Sequence, residues 1–91
     1  MEYIAVFKTL SYANRLVNFF DYKKAPEIIK TPKKIKDGCS YSVVFGENKL
    51  YDVKRYLSRN KKGFIGLYVK NNKGEYTEVP WDEVIKNDIS W

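Results

Sequence analysis

Short β-type runs alternate with helix-period segments along this chain, and that order leaves few ways to fold it. "EYIAVF" (2–7) is apolar and β-prone. "SYANRLVNFFDYKK" (11–24) follows, with Ala13, Leu16, Val17 and Phe20 at i, i+3, i+4 and i+7, one face of a helix. Ser11 is placed to cap this helix, Lys23 and Lys24 suit the negative end of its macrodipole, and Pro26 stops it. "PEIIK" (26–30) reads as a second strand and "TPKKIKDG" (31–38) as a loop punctuated by Pro, Asp and Gly. "SYSVVF" (40–45) is a third strand, with Tyr41, Val43 and Phe45 on one face. "GENKLYDVKRYLSRN" (46–60) is a second helix, with Leu50, Val53 and Leu57 at 3–4 spacing and Asn48 as its expected cap. "GFIGLYVK" (63–70) is a fourth strand, which "NNKG" (71–74) turns into a returning strand, "EYTEV" (75–79). "PWDEVIKNDISW" (80–91) is expected to be a short helical tail, with Asp82 and Glu83 in its first turn and Trp81 and Ile85 facing the body.

The order β-α-β-β-α-β has a compact solution. It is an α+β, ferredoxin-like arrangement: one antiparallel sheet with both helices on one face, extended here by a hairpin strand and the tail. Both β-α-β crossovers are expected to be right-handed. Ninety-one residues suffice for one domain, with 1–79 as its body and 80–91 as the tail. The sheet face without helices must be polar, covered by the tail, or used for a partner. Eight Tyr and five Phe make it a candidate docking surface, although strand propensity also accounts for aromatic residues.

Several chemistries are closed to this chain. Without histidine there is no Ser-His or Cys-His nucleophile pair and no histidine general base. One cysteine makes neither an internal disulfide nor, by itself, a zinc site, and no phosphate-binding glycine loop is present. No metal or cofactor is expected. "MEYIAVF" resembles no signal peptide, and no apolar run approaches a membrane span, so the expected location is the cytoplasm. Seventeen Lys and Arg against eleven Asp and Glu give a net charge of +6, which favours acidic partners.

Nucleic acid is one such partner. "KGFIGLYV" (62–69) begins like the RNP1 pattern of RNA-recognition motifs, then departs from it. Ile65 stands where Gly or Ala belongs, and Gly66 where a base-stacking aromatic belongs. The segment is also the fourth strand, whereas RNP1 lies on the third.

The other feature is the lone Cys39. Lys23, Lys24, Lys30, Lys33, Lys34 and Lys36 precede it, with Glu27 and Asp37 as the only acids between Lys23 and Cys39. Cations favour the thiolate, which is the nucleophilic form of cysteine. Gly38 removes side-chain bulk beside the sulfur, and Ser40 is a candidate hydrogen-bond donor to a thiolate or persulfide. Free cysteine is equally at home in an apolar core, so these residues alone leave its role open.

A resemblance sharpens the choice. Phe7-Lys8-Thr9, Ala13, Ile29-Lys30-Thr31-Pro32, Gly38-Cys39-Ser40 and "GLYVKNNKGEYTEV" (66–79) occur in order over residues 3–79. This resembles the selenium/sulfur carrier protein-like family of small bacterial proteins. The family places a lone cysteine after a T-P loop, usually with glycine just behind it, whereas here Gly38 precedes Cys39 and Ser40 follows. The resemblance implies that Cys39 accepts sulfur or selenium from a cysteine desulfurase-like donor and passes it to a thiol-bearing acceptor protein. Lys33, Lys34 and Lys36 would then stabilise anionic forms of the sulfur, and Thr31 and Pro32 would shape the loop. The rival reading is a non-catalytic basic module that binds protein or RNA, or a structural subunit, with Cys39 incidental. Exposure of Cys39 separates them: a sulfur packed under Leu16 or Val53 would favour the rival. The oligomeric state, monomer or dimer, stays open, since an edge strand can pair between chains.

Overall fold

From Ile4 to Phe7, no residue of β1 (Glu2–Phe7) is more than 1% exposed. Such a run is buried on both sides, which places β1 inside the sheet. The computed structural model describes residues 1–80 and gives β1 a strand on each side, with the helices over one face. After β1 come α1 (Leu10–Phe19), a 3-10 turn (Tyr22–Lys24), β2 (Glu27–Lys30) and β3 (Tyr41–Gly46). A second 3-10 turn (Glu47–Lys49), α2 (Leu50–Arg59), β4 (Phe64–Lys70) and β5 (Tyr76–Val79) follow. The sheet order is β2-β3-β1-β4-β5 and every pairing is antiparallel. This is the expected ferredoxin-like α+β arrangement, with β5 added outside β4. The expected helical tail lies outside the described residues, apart from Pro80.

The helix boundaries differ from the sequence expectation. Thr9, not Ser11, caps α1, its Oγ1 accepting from the Tyr12 N–H at 3.4 Å. The helix ends at Phe19, and Phe20 is already extended. Lys23 and Lys24 therefore sit in the separate 3-10 turn and not at the end of α1. The Asn18–Asp21 stretch consists of weak helix formers, and the edge-to-face packing of Phe19 on Phe20 closes the helix there. Asn48 does not cap α2. It lies within the second 3-10 turn, and Lys49 stands at the N-cap without a side-chain bond.

Alternation along the strands sorts the residues between two faces. Ala5, Phe7, Val43, Phe45 and Leu67 meet Ala13 and Leu16 of α1 and Val53 and Leu57 of α2 in one core. The sheet's aromatic residues go largely to this side: Tyr3 stacks on Phe45 and Phe7 meets Phe64 edge-on, both at 5.7 Å. On the opposite face β1 and β3 present Ile4, Val6, Ser42 and Val44. The aromatic residues of this face are Tyr68 of β4, beside Ile4, and Tyr76 of β5. Glu2, Lys70 and Tyr76 close one edge of this face, with Lys70 3.8 Å from Glu2 and lying over the Tyr76 ring.

The turn Asn71–Glu75 behaves as expected of a hairpin. The Asn71 side-chain oxygen accepts from the Lys73 and Glu75 N–H groups, at 2.8 and 2.9 Å. At the other end of β4, Gly63 ties it to β1, its carbonyl accepting from Lys8 N–H at 2.8 Å. Gly63 has φ +80°, and a Cβ there would lie 2.2 Å from the Tyr12 ring. Gly74 has the same φ but open space around it. Gly74→Ala should cost about 1 kcal/mol of backbone strain. Gly63→Ala should cost about 1–3 kcal/mol more, from overpacking against Tyr12. Paired denaturant melts read the difference, and equal losses would show that Tyr12 moves aside freely.

Candidate functional site

Cys39 lies in the loop between β2 and β3, and its thiol is free and exposed. The loop is tied at its neck. Thr31 N–H donates to the Ser40 carbonyl at 3.2 Å, and the Thr31 and Ser42 hydroxyls share a buried hydrogen bond of 2.7 Å. Beyond the neck the Pro32 carbonyl accepts from the N–H groups of Ile35 and Lys36, which folds residues 32–36 into a turn. Gly38, at φ +115° with no atom near a would-be Cβ, brings the chain back to β3. Thr31 and Pro32 thus sit where they shape the loop, while Lys33, Lys34, Lys36 and Cys39 are all exposed on it.

Ser40 faces the other way. It is 1% exposed, and its hydroxyl has no hydrogen-bond partner among the described residues, Cys39 included. The donor role expected of Ser40 toward the thiolate is not made in this arrangement.

Sheet register decides which charges share the Cys39 end. Phe7, at the end of β1, pairs with Tyr41 at the start of β3 and with Phe64 at the start of β4. Lys30, the last residue of β2, also pairs with Tyr41. Lys8, Lys30, Lys33, Lys34 and Lys36 therefore gather at this end. Arg59, the last residue of α2, and Lys61 and Lys62, from the link between α2 and β4, join them. In the same segments the only acid is Asp37. Lys23 and Lys24 leave the sequence cluster, because β2 runs between them and the loop for about 13 Å. Among the described residues Lys33, Lys34 and Lys36 make no ion pair, so their charge is not neutralised within the fold. The N-terminus of α1, which follows β1 by two residues, lies at this end as well and adds its positive dipole.

Sequence reasoning did not find the groove between the helices. All three arginines of the chain line two adjoining hollows there, of about 190 and 210 Å³. Arg15, Arg59, Lys61 and Lys62 line the first with Tyr12 and Tyr56; Arg55 joins Arg59 and Phe19 in the second. No carboxylate lines either hollow. Arg15 lies over the Tyr12 ring and Arg55 over the Phe19 ring, each at 5.4 Å, and Arg55 is also 3.4 Å from Asp52. Burial raises the Tyr56 phenol pKa, and the Arg15 charge opposes that shift. The clue in the sequence was the restriction of arginine to the two helices, but which faces they occupy depends on how the helices pack. Among the described residues no cluster of His, Cys, Asp and Glu could hold a metal ion, and no helix is long and apolar enough to cross a membrane.

Cys39 is thus an exposed thiol on a tethered loop, with lysines around it that make no ion pair among the described residues. The family profile described as "Putative Se/S carrier protein-like" matches residues 2–69, from β1 almost to the end of β4. The chain belongs to this family. Comparison with curated proteins and with solved structures finds no match. The matched segment holds Cys39 and its whole loop. It leaves out residues 70–79, where the sequence resemblance also extended, and everything after them.

The neck bonds carry direct expectations. Thr31→Val strands the buried Ser42 hydroxyl and should cost about 1–3 kcal/mol, most of which a further Ser42→Ala change should restore. Ser40→Ala deletes a hydroxyl with no partner, so stability should hold or rise by up to about 1 kcal/mol. Thermal or urea unfolding measures each variant. A clear loss for Ser40→Ala would mean that its hydroxyl has a partner in solution.

Proposed function

We propose that this protein carries sulfur or selenium on Cys39, as a persulfide or selenosulfide, between a desulfurase-type donor and a thiol acceptor. The observation that supports this most is the exposure of Cys39 at the end of the sheet where the lysines converge. A carrier needs a nucleophile that a second protein can reach, and a core cysteine would not serve. Family membership points the same way.

The chemistry is an exchange with no net oxidation. The Cys39 thiolate attacks the outer sulfur of the donor's cysteine persulfide. A new bond forms to that sulfur, the donor's own S–S bond breaks, and the donor cysteine leaves as a thiolate. Cys39 now holds the outer sulfur. An acceptor thiolate attacks it in the same manner and releases Cys39. Selenium follows the same course, with a selenosulfide in place of the persulfide. The reaction suits a reducing compartment such as the cytoplasm, where thiols are not locked into disulfides.

The surrounding cations serve this exchange by drawing in acidic partner surfaces and speeding encounter at low salt. The arginine groove continues that field along the helices and offers a larger acidic partner further contacts. RNA is the less favoured occupant, because β1 and β3 present Ile4, Val6, Ser42 and Val44 on the helix-free face and no stacking aromatic.

Intact mass after incubation with a cysteine desulfurase and free cysteine tests the proposal. The native chain should gain one sulfur that reducing agent removes, and Cys39→Ser should gain none. No adduct, together with slow alkylation of Cys39 in the folded protein, would overturn the reading. Replacing Lys33, Lys34 and Lys36 together with Gln should slow loading on the order of tenfold at low salt and much less at high salt. Equal loading rates at all salt concentrations would show that the lysines do not steer the donor.

A further inference from the structure

The outer surfaces of the two helices carry a charge pattern that the exchange at Cys39 does not use. Helix α1 has no acidic residue, and the one acid of α2 is Asp52. Against it stand Arg15, Lys54, Arg55 and Arg59. Asp52 and Arg55 approach to 3.4 Å with both side chains nearly half exposed, an ion pair that water weakens and a partner's carboxylate can replace. Arg15 and Arg59 make no ion pair among the described residues. They face the hollow that Tyr12, Tyr56 and Lys62 also line, and Arg55 and Arg59 face the neighbouring one with Phe19.

The type of cation matters as much as its charge. Every cation of the Cys39 loop and of the strand ends around it is lysine, while the groove takes all of the chain's arginine. A guanidinium is a planar fork that binds a carboxylate through two parallel hydrogen bonds, and packing on a ring holds the fork in place. Tyr12 holds Arg15 in this way and Phe19 holds Arg55, each guanidinium carbon 5.4 Å from the ring centre. The rings themselves are taken up. Gly63 lies against Tyr12, and Phe20 and Tyr56 flank Phe19 at 5.5 and 5.3 Å. A groove for single-stranded nucleic acid offers open rings to the bases, whereas these rings serve to present guanidinium. Phe19 still has 41% of its surface exposed, which sets an apolar patch beside Arg55.

Spacing and direction narrow the occupant further. Arg55 and Arg59 are one helical turn apart, about 6 Å, and Arg15 faces them from α1. Carboxylates one turn apart on a helix, or two residues apart on an extended strand, match that spacing. The groove opens at the Cys39 end, because α1 starts there and Arg59 is the last residue of α2.

We propose that the groove between α1 and α2 docks an acidic, partly apolar segment of the protein that supplies sulfur, with its carboxylates on Arg15, Arg55 and Arg59 and an apolar side chain on Phe19. The identity of this partner rests on the carrier reading, to which the groove adds a second site. The groove holds the partner by a segment away from the chemistry, and Cys39 meets the partner's persulfide.

A fluorescein-labelled peptide of repeating Glu-Glu-Leu units is the probe, read by anisotropy and by NMR of the full chain. It should bind the native chain and Cys39→Ser alike. It should shift the side-chain N–H signals of Arg15, Arg55 and Arg59 and the Phe19 ring more than the signals of Lys33, Lys34 or Lys36. Arg15→Lys, Arg55→Lys and Arg59→Lys together keep the charge but lose the forks, and should weaken peptide binding about tenfold. The same variant should need more cysteine desulfurase for half-maximal loading. Its loading by glutathione persulfide, which is too small to use the groove and leaves as glutathione thiolate, should be unchanged. Peptide shifts confined to the Cys39 loop, equal affinity of the lysine variant, or an unchanged requirement for desulfurase would overturn the proposal. So would tighter binding of an oligouridylate of the same charge at the same arginines. Each of these leaves carriage itself standing, which fails separately if glutathione persulfide does not load Cys39.

Discussion

The burial of β1 on both of its faces is the constraint on which the rest depends. A strand with Ile4, Ala5, Val6 and Phe7 all out of water cannot be an edge. It must have a neighbour on each side, which β3 and β4 supply. The helices supply one layer, through Ala5 and Phe7. Because β1 pairs at Phe7 with the starts of both β3 and β4, the same strand determines which loops meet. The loop before β3 and the link before β4 emerge together, at the end that carries Cys39.

Electrostatics at that end run against local comfort. The fold brings lysines from the ends of β1 and β2, from the Cys39 loop and from the α2–β4 link into one region, with Asp37 as the acid among them. Like charges in proximity repel, and the Cys39 loop does not offset this with ion pairs of its own. The neck does the holding instead. The Thr31–Ser42 hydroxyl pair and the Thr31–Ser40 backbone bond fix both ends of the loop, so its middle can remain exposed and charged without detaching from the sheet. The stability that holds Cys39 in place therefore lies behind it, and the charge that would act on a partner lies in front.

Much of the fold was legible in the residues. Each strand has a run of β-prone or alternating residues, and each helix has its apolar stripe, because burial against one core imposes those periods locally. The boundaries were less legible. Ser11 and Asn48 are good capping residues by type, yet Thr9 caps α1 and Asn48 lies within a turn, since a cap depends on where the backbone leaves the strand before it. The candidate site was half legible. Thr31, Pro32, Gly38 and Cys39 are neighbours in sequence, so their loop could be read directly. The inward turn of Ser40, the loss of Lys23 and Lys24 from the cluster, and the arrival of Lys8, Lys61 and Lys62 could not be.

The sequence by itself determined the order of elements, the excess of positive charge, and the presence of one thiol with no histidine beside it. These are properties of residue type and near spacing, which no later packing alters. Only the tertiary structure decided that Cys39 faces water, that distant lysines share its end of the sheet, and that three arginines line one groove. Those outcomes depend on strand register and helix placement. A register is set by the sum of many long-range contacts, and a single-residue slip would send every side chain of a strand to the opposite face.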